Sequence, residues 1–267
     1  MICYGLGDIL CKIEINRLFI RVPPDIERAI VWHYIKTKPH MNLMFFPNEV
    51  EIQKTAPKIL KLIKDVIDDN SERFLLENIY NHKWNNVSNR RVQNWGGVPH
   101  PNGMIIEPMP EWLQGLVQEI NNLNITEQKF NHVLINEYNQ GEGIDVHHDG
   151  PLYFPIVVTL NLNSYGLLDF YEPPDEKKSN TLSNRYTGSL YLPRKSINII
   201  SDEMYTRYMH GISYRDVDRF DDLAIFNRKD IMEKVQTRGK RISLTFRRVP
   251  NEKNIGKQVS NILKNLK

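Results

Sequence analysis

Cysteine is nearly absent from this chain of 267 residues, in which Cys3 and Cys11 are the only two. Two cysteines this close to the start provide no disulfide framework, so we expect a reducing compartment. The first residues also lack a basic segment and carry Asp8 where a secretory signal would have its apolar stretch. Cytoplasm or nucleus, or both, is the predicted location.

Long apolar runs and a strong charge of one sign are also missing. No run approaches the roughly 20 apolar residues that a membrane-spanning helix needs, so we expect no membrane partner. The net charge of +3 permits a polyanionic partner without requiring one. Apolar residues make up 40% of the chain and charged residues 25%, as in a soluble globular protein, for which we expect a monomer.

The residue pattern divides the chain into three parts. Residues 1–58 are broken by prolines and carry no chemical motif, which predicts an N-terminal extension packed on the main domain. Residues 59–250 hold the regular patterns and form the predicted domain. Residues 251–267 are rich in lysine and predict a solvated basic tail.

Two amphipathic helices are predicted in the first half of this domain. Ser71 stands before Glu72 and an apolar stripe, as an N-cap does. Pro110 opens a second helix with an apolar face from Trp112 to Ile120. Between them, residues 90–103 contain glycines, prolines and an Asn-Gly pair, which predict a loop with tight turns.

Strands dominate the chain after about residue 130. The predicted strands are 130–138, 155–162, 165–171, 188–192, 196–200, 223–226 and 241–247. Short strands at this spacing, with turn signals between them, indicate a sandwich or a double-sheet barrel. The predicted class is α+β, with the helices of the first half flanking this β core.

A candidate metal site lies in the middle of the chain. His147 and Asp149 point to the same face of an extended strand, because alternate side chains share a face. His210 is the only histidine downstream of them. It would complete the two-histidine, one-carboxylate set that holds non-haem Fe(II). Asp145, also two residues from His147, and His148, beside the carboxylate, are rival ligands.

The last predicted strand carries two arginines on one face. Arg241 and Arg247 share that face with Ser243, while the intervening residues are apolar. Inward arginines need anionic partners, and a guanidinium binds a carboxylate through two hydrogen bonds. An organic diacid that spans iron and Arg241 would satisfy both groups. The alternative is an edge strand whose arginines are solvated or contact nucleic-acid phosphate.

The order of these groups resembles that of a known family. Along the chain they are Asn136 and Tyr138, His147 and Asp149, His210, and Arg241 and Arg247. This order is similar to that of the AlkB family of Fe(II)/2-oxoglutarate-dependent dioxygenases. Four motifs resemble its AlkB homologue six subgroup: QNWGGVPHP (93–101), HHDGPLY (147–153), LDFYEP (168–173) and RRVP (247–250). The similarity spans roughly residues 60–250, and His148 stands where the subgroup has a different polar residue.

This resemblance implies a double-stranded β-helix (jelly-roll) with Fe(II) at its open end, and 2-oxoglutarate and O2 as cosubstrates. Metal binding then belongs to His147, Asp149 and His210. The far carboxylate of 2-oxoglutarate pairs with Arg241, helped by the side chains of Asn136 and Tyr138. Arg247 lies near the metal-side carboxylate, and Ser243 shares the face of the two arginines.

The same resemblance implies oxidative demethylation of alkylated bases in DNA or RNA. A base must leave its stack to reach such a pocket, so single-stranded nucleic acid or a flipped base is the expected partner. Trp95, His148 and Tyr153 are the candidate substrate contacts, although Trp95 could equally anchor its own loop in the core. Two other functions stay open: a 2-oxoglutarate-dependent protein hydroxylase, and a nucleic-acid-binding module with a vestigial iron site.

Overall fold

The computed structural model of the protein describes residues 49–50, 60–177 and 180–253. The predicted extension of residues 1–58 lies outside the described residues except for 49–50, and so does the predicted tail from residue 254 onward. No helix in the described ranges is both long enough and apolar enough to cross a membrane.

Strands are the main elements of the described chain. They are β1 Glu49–Val50, β2 Leu60–Ile63, β3 Asn85–Val87, β4 Arg90–Trp95, β5 Met104–Ile105, β6 His132–Tyr138, β7 Ile144–His147, β8 Ile156–Leu162, β9 Gly166–Tyr171, β10 Tyr186–Leu192, β11 Ser196–Ser201, β12 Met209–Ile212, β13 Val217–Arg219, β14 Val235–Thr237, β15 Arg241–Arg247 and β16 Glu252–Lys253. The helices are α1 Asp69–Tyr80, α2 Glu111–Asn122, α3 Leu182–Arg185 and α4 Asp202–Thr206, with 3-10 turns at Phe220–Asp222 and Arg228–Asp230.

Two antiparallel sheets form the core of the domain. The larger has eight strands in the order β1-β2-β11-β8-β15-β6-β4-β3, and the smaller has four in the order β10-β9-β12-β7. Side chains from both sheets, among them Val157, Ile200, Leu168, Leu190 and Ile212, form one buried apolar cluster. The two sheets therefore pack face to face, as in a jelly-roll.

The outer face of the larger sheet is covered by helices α1 and α2. Alternate residues of β15, Ile242, Leu244 and Phe246, join buried residues of both helices in a second apolar cluster. The remaining residues of β15 point to the other sheet. This arrangement confirms the predicted α+β class with a double-sheet core and helices beside it.

Helix α1 begins slightly earlier than its sequence pattern predicts. Its N-cap is Asp68, whose carboxylate accepts a hydrogen bond from the backbone N–H of Ser71 at 2.7 Å. The prediction of Ser71 as the cap is therefore wrong, because an acceptor stands three residues upstream of it. Helix α2 starts after Pro110 and buries Leu113, Leu116 and Ile120, as predicted.

Two other predictions about elements are wrong. Residues 223–226 form no strand, and Ile225 makes only an isolated bridge to Ser189. The predicted loop of residues 90–103 begins with a regular strand, β4, which pairs with β6 from Arg91 to Trp95. Only the part from Gly96 onward is the glycine- and proline-rich loop that the composition indicates.

Candidate active site

Three side chains from two neighbouring strands form a cluster with the spacing of a metal site. His147 ends β7, His210 pairs with it in register from β12, and Asp149 follows β7. Their ligand atoms all lie within 4.8 Å of one another. Nε2 of His210 is 3.7 Å from Oδ2 of Asp149. Two imidazoles and one carboxylate are the ligand set that suits non-haem Fe(II).

The backbone determines which nitrogen of His147 is free for a metal. Its Nδ1 lies 2.7 Å from the carbonyl oxygen of Asp145, which can only accept a hydrogen bond. Nδ1 therefore carries the proton, and the lone pair of Nε2 remains for a metal. The carboxylate of Asp145 accepts from the Tyr214 hydroxyl instead, and neither Asp145 nor the exposed His148 belongs to the cluster.

Electrostatics keep these groups in their metal-binding protonation states. Burial favours the neutral form of Asp149, but Arg247, His210 and His147 together outweigh it and hold the pKa of that carboxyl below its usual value. Arg247 also donates a hydrogen bond to Oδ1 of Asp149. Burial lowers the pKa of His210 to about 4, so its imidazole is neutral near pH 7. An ionised carboxylate and a neutral imidazole are the forms that coordinate a metal.

The cluster opens into a cavity of about 210 Å³ between the two sheets. Its polar lining comes mainly from the larger sheet, and its residues are Arg90, Asn136, Tyr138, Thr159, Asn198, Arg241, Ser243, Thr245 and Arg247. The register of β15 against β6 explains the grouping, because it pairs Arg241 with Tyr138 and Ser243 with Asn136. The structure therefore brings together all eight residues that the sequence predicts for metal and cosubstrate.

Arg241 is a buried cation that has no acidic partner in the described part of the chain. Its Nη2 donates to Oδ1 of Asn161 at 2.5 Å, and its guanidinium lies over the Tyr138 ring at 5.5 Å. Its Nε and Nη1 are buried and have no hydrogen-bond partner among the residues that the structure describes. Burial lowers the pKa of Arg241 to about 10, so the side chain stays charged near pH 7. A charged guanidinium with unpaired N–H donors is the complement of a carboxylate, which fits the far end of 2-oxoglutarate.

The three predicted substrate contacts have different positions. Tyr153 lies beside the metal cluster, where its ring covers the guanidinium of Arg247 at 4.8 Å. His148 is exposed and lies outside the cavity lining. Trp95 packs against the apolar cluster beneath the helices, and its Nε1 donates to Gln93 at 3.3 Å. This is the opposite face of the larger sheet, so the structure does not bring Trp95 together with the cavity residues, and its position fits the alternative that Trp95 anchors its own loop in the core.

Sequence reasoning missed several residues that line or support the cavity. Asn161 and Thr159 interrupt an otherwise apolar strand at a spacing of two, and Asn198 does so in the neighbouring strand. A polar residue inside an apolar strand needs a buried partner, so these positions were detectable as a shared polar face. Arg90 had no such signal, because it lies in a stretch whose composition indicates a loop.

Comparisons with known proteins agree with this geometry. Residues 60–247 match the 2OG-Fe(II) oxygenase superfamily. The probable RNA/DNA demethylase ALKBH6 of Danio rerio is 42% identical over 213 residues, which cover 76% of this chain and 90% of that protein. The uncharacterized protein L905 of Acanthamoeba polyphaga mimivirus is 30% identical over 200 residues, covering 72% of this chain and 85% of that protein. The solved structure of OsALKBH1 matches with a TM-score of 0.46 at 14% identity, covering 71% of this chain and 96% of that one.

The superfamily match extends over most of the chain, and the zebrafish relative is aligned over nearly its whole length. The chain therefore belongs to the 2OG-Fe(II) oxygenase superfamily and to its AlkB-like branch, as an oxidoreductase that uses Fe(II), 2-oxoglutarate and O2.

Proposed function

We propose that this protein removes alkyl groups from bases of RNA or DNA by oxidation. The observation that carries the proposal is a single cavity with a two-histidine, one-carboxylate cluster at one end and the unpaired cation of Arg241 in its wall. The zebrafish relative, which is named a probable RNA/DNA demethylase, supports nucleic acid as the substrate class.

In this proposal His147, Asp149 and His210 hold Fe(II) through one atom each. When bound, the iron and its cosubstrates supply the oxidation of a substrate C–H bond, during which 2-oxoglutarate is converted to succinate and CO2. A hydroxylated N-methyl group then leaves as formaldehyde. Arg247 supports the centre by keeping Asp149 ionised and by fixing one of its oxygens.

The residues of the large sheet orient the cosubstrate. Arg241 pairs with the far carboxylate of 2-oxoglutarate through N–H groups that Asn161 leaves free, and Asn161 holds the guanidinium in place at Nη2. Tyr138 and Asn136 stand opposite Arg241 and Ser243 and donate further hydrogen bonds. The buried walls exclude water from this pocket, which strengthens each of these interactions.

On the substrate side, Tyr153 and His148 contact a base that has left its stack. Tyr153 is half-buried against Arg247, so its ring is held in place next to the metal cluster. His148 is exposed and follows the ligand His147 directly, at the rim. Single-stranded nucleic acid or a flipped nucleotide suits such a site, because the reacting group must enter a closed pocket.

Mass spectrometry of modified DNA and RNA, after incubation with protein, Fe(II) and 2-oxoglutarate, tests this function. We expect loss of a methyl group from at least one base and formation of succinate in equal amount. His210→Ala should abolish both, together with iron binding. Succinate formation that no nucleic acid stimulates would favour a protein hydroxylase. Iron binding without any turnover would favour a nucleic-acid-binding module and contradict the proposal.

A further inference from the structure

Arg90 lines the cavity, but its strand carries none of the residues that were predicted to bind the metal or the cosubstrate. It is the first residue of β4, which with β3 forms a hairpin at the edge of the larger sheet. Strand geometry sends neighbouring side chains to opposite faces. Arg90 accordingly lines the cavity, whereas Arg91 points to the helices and pairs there with the buried carboxylate of Glu137.

The contact of Arg90 inside the cavity is with a residue assigned to the cosubstrate. Nε of Arg90 donates to Oδ1 of Asn136 at 3.0 Å. A guanidinium only donates hydrogen bonds, so it selects the carbonyl end of the amide. The Nδ2 end is thereby turned away from Arg90, and within the described residues no protein group accepts a hydrogen bond from it. The amide therefore presents two N–H donors that no described residue pairs with.

The charge of Arg90 also acts on this part of the cavity. Among the described residues it pairs with no carboxylate, and its positive charge is one of those that partly offset the effect of burial on the pKa of Tyr138. Arg241 lies on the other side of Tyr138, over the face of the ring. Two guanidinium groups therefore flank the phenol, where an anionic cosubstrate is favoured over a neutral molecule of the same size.

We propose that Arg90 is a positioning residue for 2-oxoglutarate, which acts by locking the Asn136 amide with its N–H groups toward the cosubstrate. This inference rests on the proposed function, since it assigns Asn136 to the cosubstrate. Without Arg90 the amide rotates between two orientations, one of which turns its carbonyl oxygen to a carboxylate. Such a contact is repulsive, so affinity falls although no residue that touches the cosubstrate has changed.

A purely structural role would have a different effect. If Arg90 only tied the edge hairpin to β6, its loss would lower the stability of the protein and leave the affinity for 2-oxoglutarate unchanged. Arg91 is the matched control, because it stands next to Arg90 on the same strand and makes its ion pair on the face away from the cavity. Loss of Arg91 leaves the buried Glu137 short of a partner, which destabilises the fold.

Calorimetric titration of 2-oxoglutarate into the full chain loaded with Mn(II) separates the two roles without turnover. We expect Arg90→Met to raise the Kd about tenfold, or ~1.4 kcal/mol, with little change in Tm. Arg90→Gln provides a second variant if Arg90→Met folds poorly. Arg91→Met should lower Tm and keep the wild-type Kd. An unchanged Kd in both folded Arg90 variants would overturn the proposal.

A double-mutant cycle with Asn136→Ala tests whether Arg90 acts through the amide. Once the amide is gone, Arg90→Met should cause a much smaller loss of affinity than in the wild type, because only the effect of its charge remains. An additive loss would mean that Arg90 binds the cosubstrate directly, and would overturn the positioning role. Failure of the proposed cosubstrate site would give a different result, because the wild-type protein itself would then not bind 2-oxoglutarate.

Discussion

The position of the buried Arg241 guanidinium depends on a hydrogen bond to one neighbour, Asn161, and on the absence of a side chain at another, Gly166. Asn161 supplies the one hydrogen-bond acceptor, and its own amide is fixed by the backbone and hydroxyl of Ser196 and by Asn198. Gly166, at the start of β9, supplies space. A Cβ atom there would lie 2.6 Å from Nε of Arg241, closer than any real contact.

Gly166→Ala should therefore weaken cosubstrate binding by displacing Arg241. The guanidinium is enclosed and held by Asn161. It therefore cannot move aside without losing that hydrogen bond or its orientation toward the cosubstrate carboxylate. We expect the Kd for 2-oxoglutarate to rise at least about tenfold, equivalent to ~1.4 kcal/mol, as measured by calorimetry.

The matched control for this substitution is Gly239→Ala. An added Cβ at Gly239 meets only the side chain of Ser164, on an exposed turn that does not line the cavity. This variant should keep wild-type affinity. If Gly166→Ala binds 2-oxoglutarate as tightly as Gly239→Ala does, the far carboxylate of 2-oxoglutarate does not bind to Arg241.

Strand β15 shows how much of the site the sequence alone predicts. The alternation of polar and apolar residues from Arg241 to Arg247 predicts the strand, its two faces and which of these faces binds an anion. His147 and Asp149 are predictable for the same reason, since spacing of two is local information. Their meeting with His210 depends on the pairing of β7 with β12, which the order of residues along the chain does not specify.

Strand β4 shows where sequence reasoning fails. Its tail of glycines and prolines is a valid turn signal, but that signal begins only at Gly96. Pairing with β6 holds the six residues before it in extended form and so determines their faces. The face assignment sends Trp95 to the helices and Arg90 to the cavity. Pairing with β6 therefore places Trp95, the predicted substrate contact, away from the cavity, and Arg90, which had no predicted role, inside it.

Helix α1 is held on the sheet at both ends by carboxylate contacts. Near its start, buried Glu72 accepts from the backbone N–H of Asn163 at 2.7 Å and from Nε of Arg194 at 2.6 Å. At its end, the Tyr80 hydroxyl donates to buried Glu137 at 2.6 Å. A helix of 12 residues has little stability by itself, so these contacts and its apolar stripe determine where it lies.

Glu72→Ala should destabilise the protein by about 1 to 3 kcal/mol, because the backbone N–H of Asn163 loses its charged acceptor and Arg194 loses one of its two carboxylate partners. Urea unfolding measures this change in the free energy of unfolding. Glu77→Ala is the control on the same helix, since Glu77 is exposed and forms no ion pair within the described residues. Equal stability of the two variants would show that the apolar stripe alone positions α1.

The described part of the domain, residues 60–253 except 178–179, is organised as three layers, with the chemistry on one side of the central sheet. Helices cover one face of that sheet, and the other face and the smaller sheet enclose the cavity. The metal ligands and the residues assigned to the cosubstrate come from strands that span residues 136 to 247. No local segment contains a complete site, so metal and cosubstrate bind the folded chain and stabilise it.

Burial of a histidine makes the stability of the fold sensitive to acid. His132 at the start of β6 is buried, its Nε2 lies 2.8 Å from Oδ1 of Asn94, and its Nδ1 has no partner within the described ranges. Burial, with the nearby charge of Arg247, lowers the pKa of His132 from 6.5 to about 3. In the unfolded chain the imidazole takes up a proton as the pH falls through 6.5, whereas in the folded chain it does not.

The free energy of unfolding of the metal-free protein should therefore fall as the pH drops below 6.5, by up to about 1.4 kcal/mol per pH unit from His132 alone. Urea unfolding between pH 6.5 and roughly 5, above the range in which most carboxylates titrate, measures this slope. His132→Gln keeps a donor for Asn94 but cannot titrate, so its slope should be shallower by that amount. Because buried His210 contributes in the same direction, the variant should retain part of the slope. A variant slope equal to that of the wild type would mean that His132 is protonated inside the folded protein.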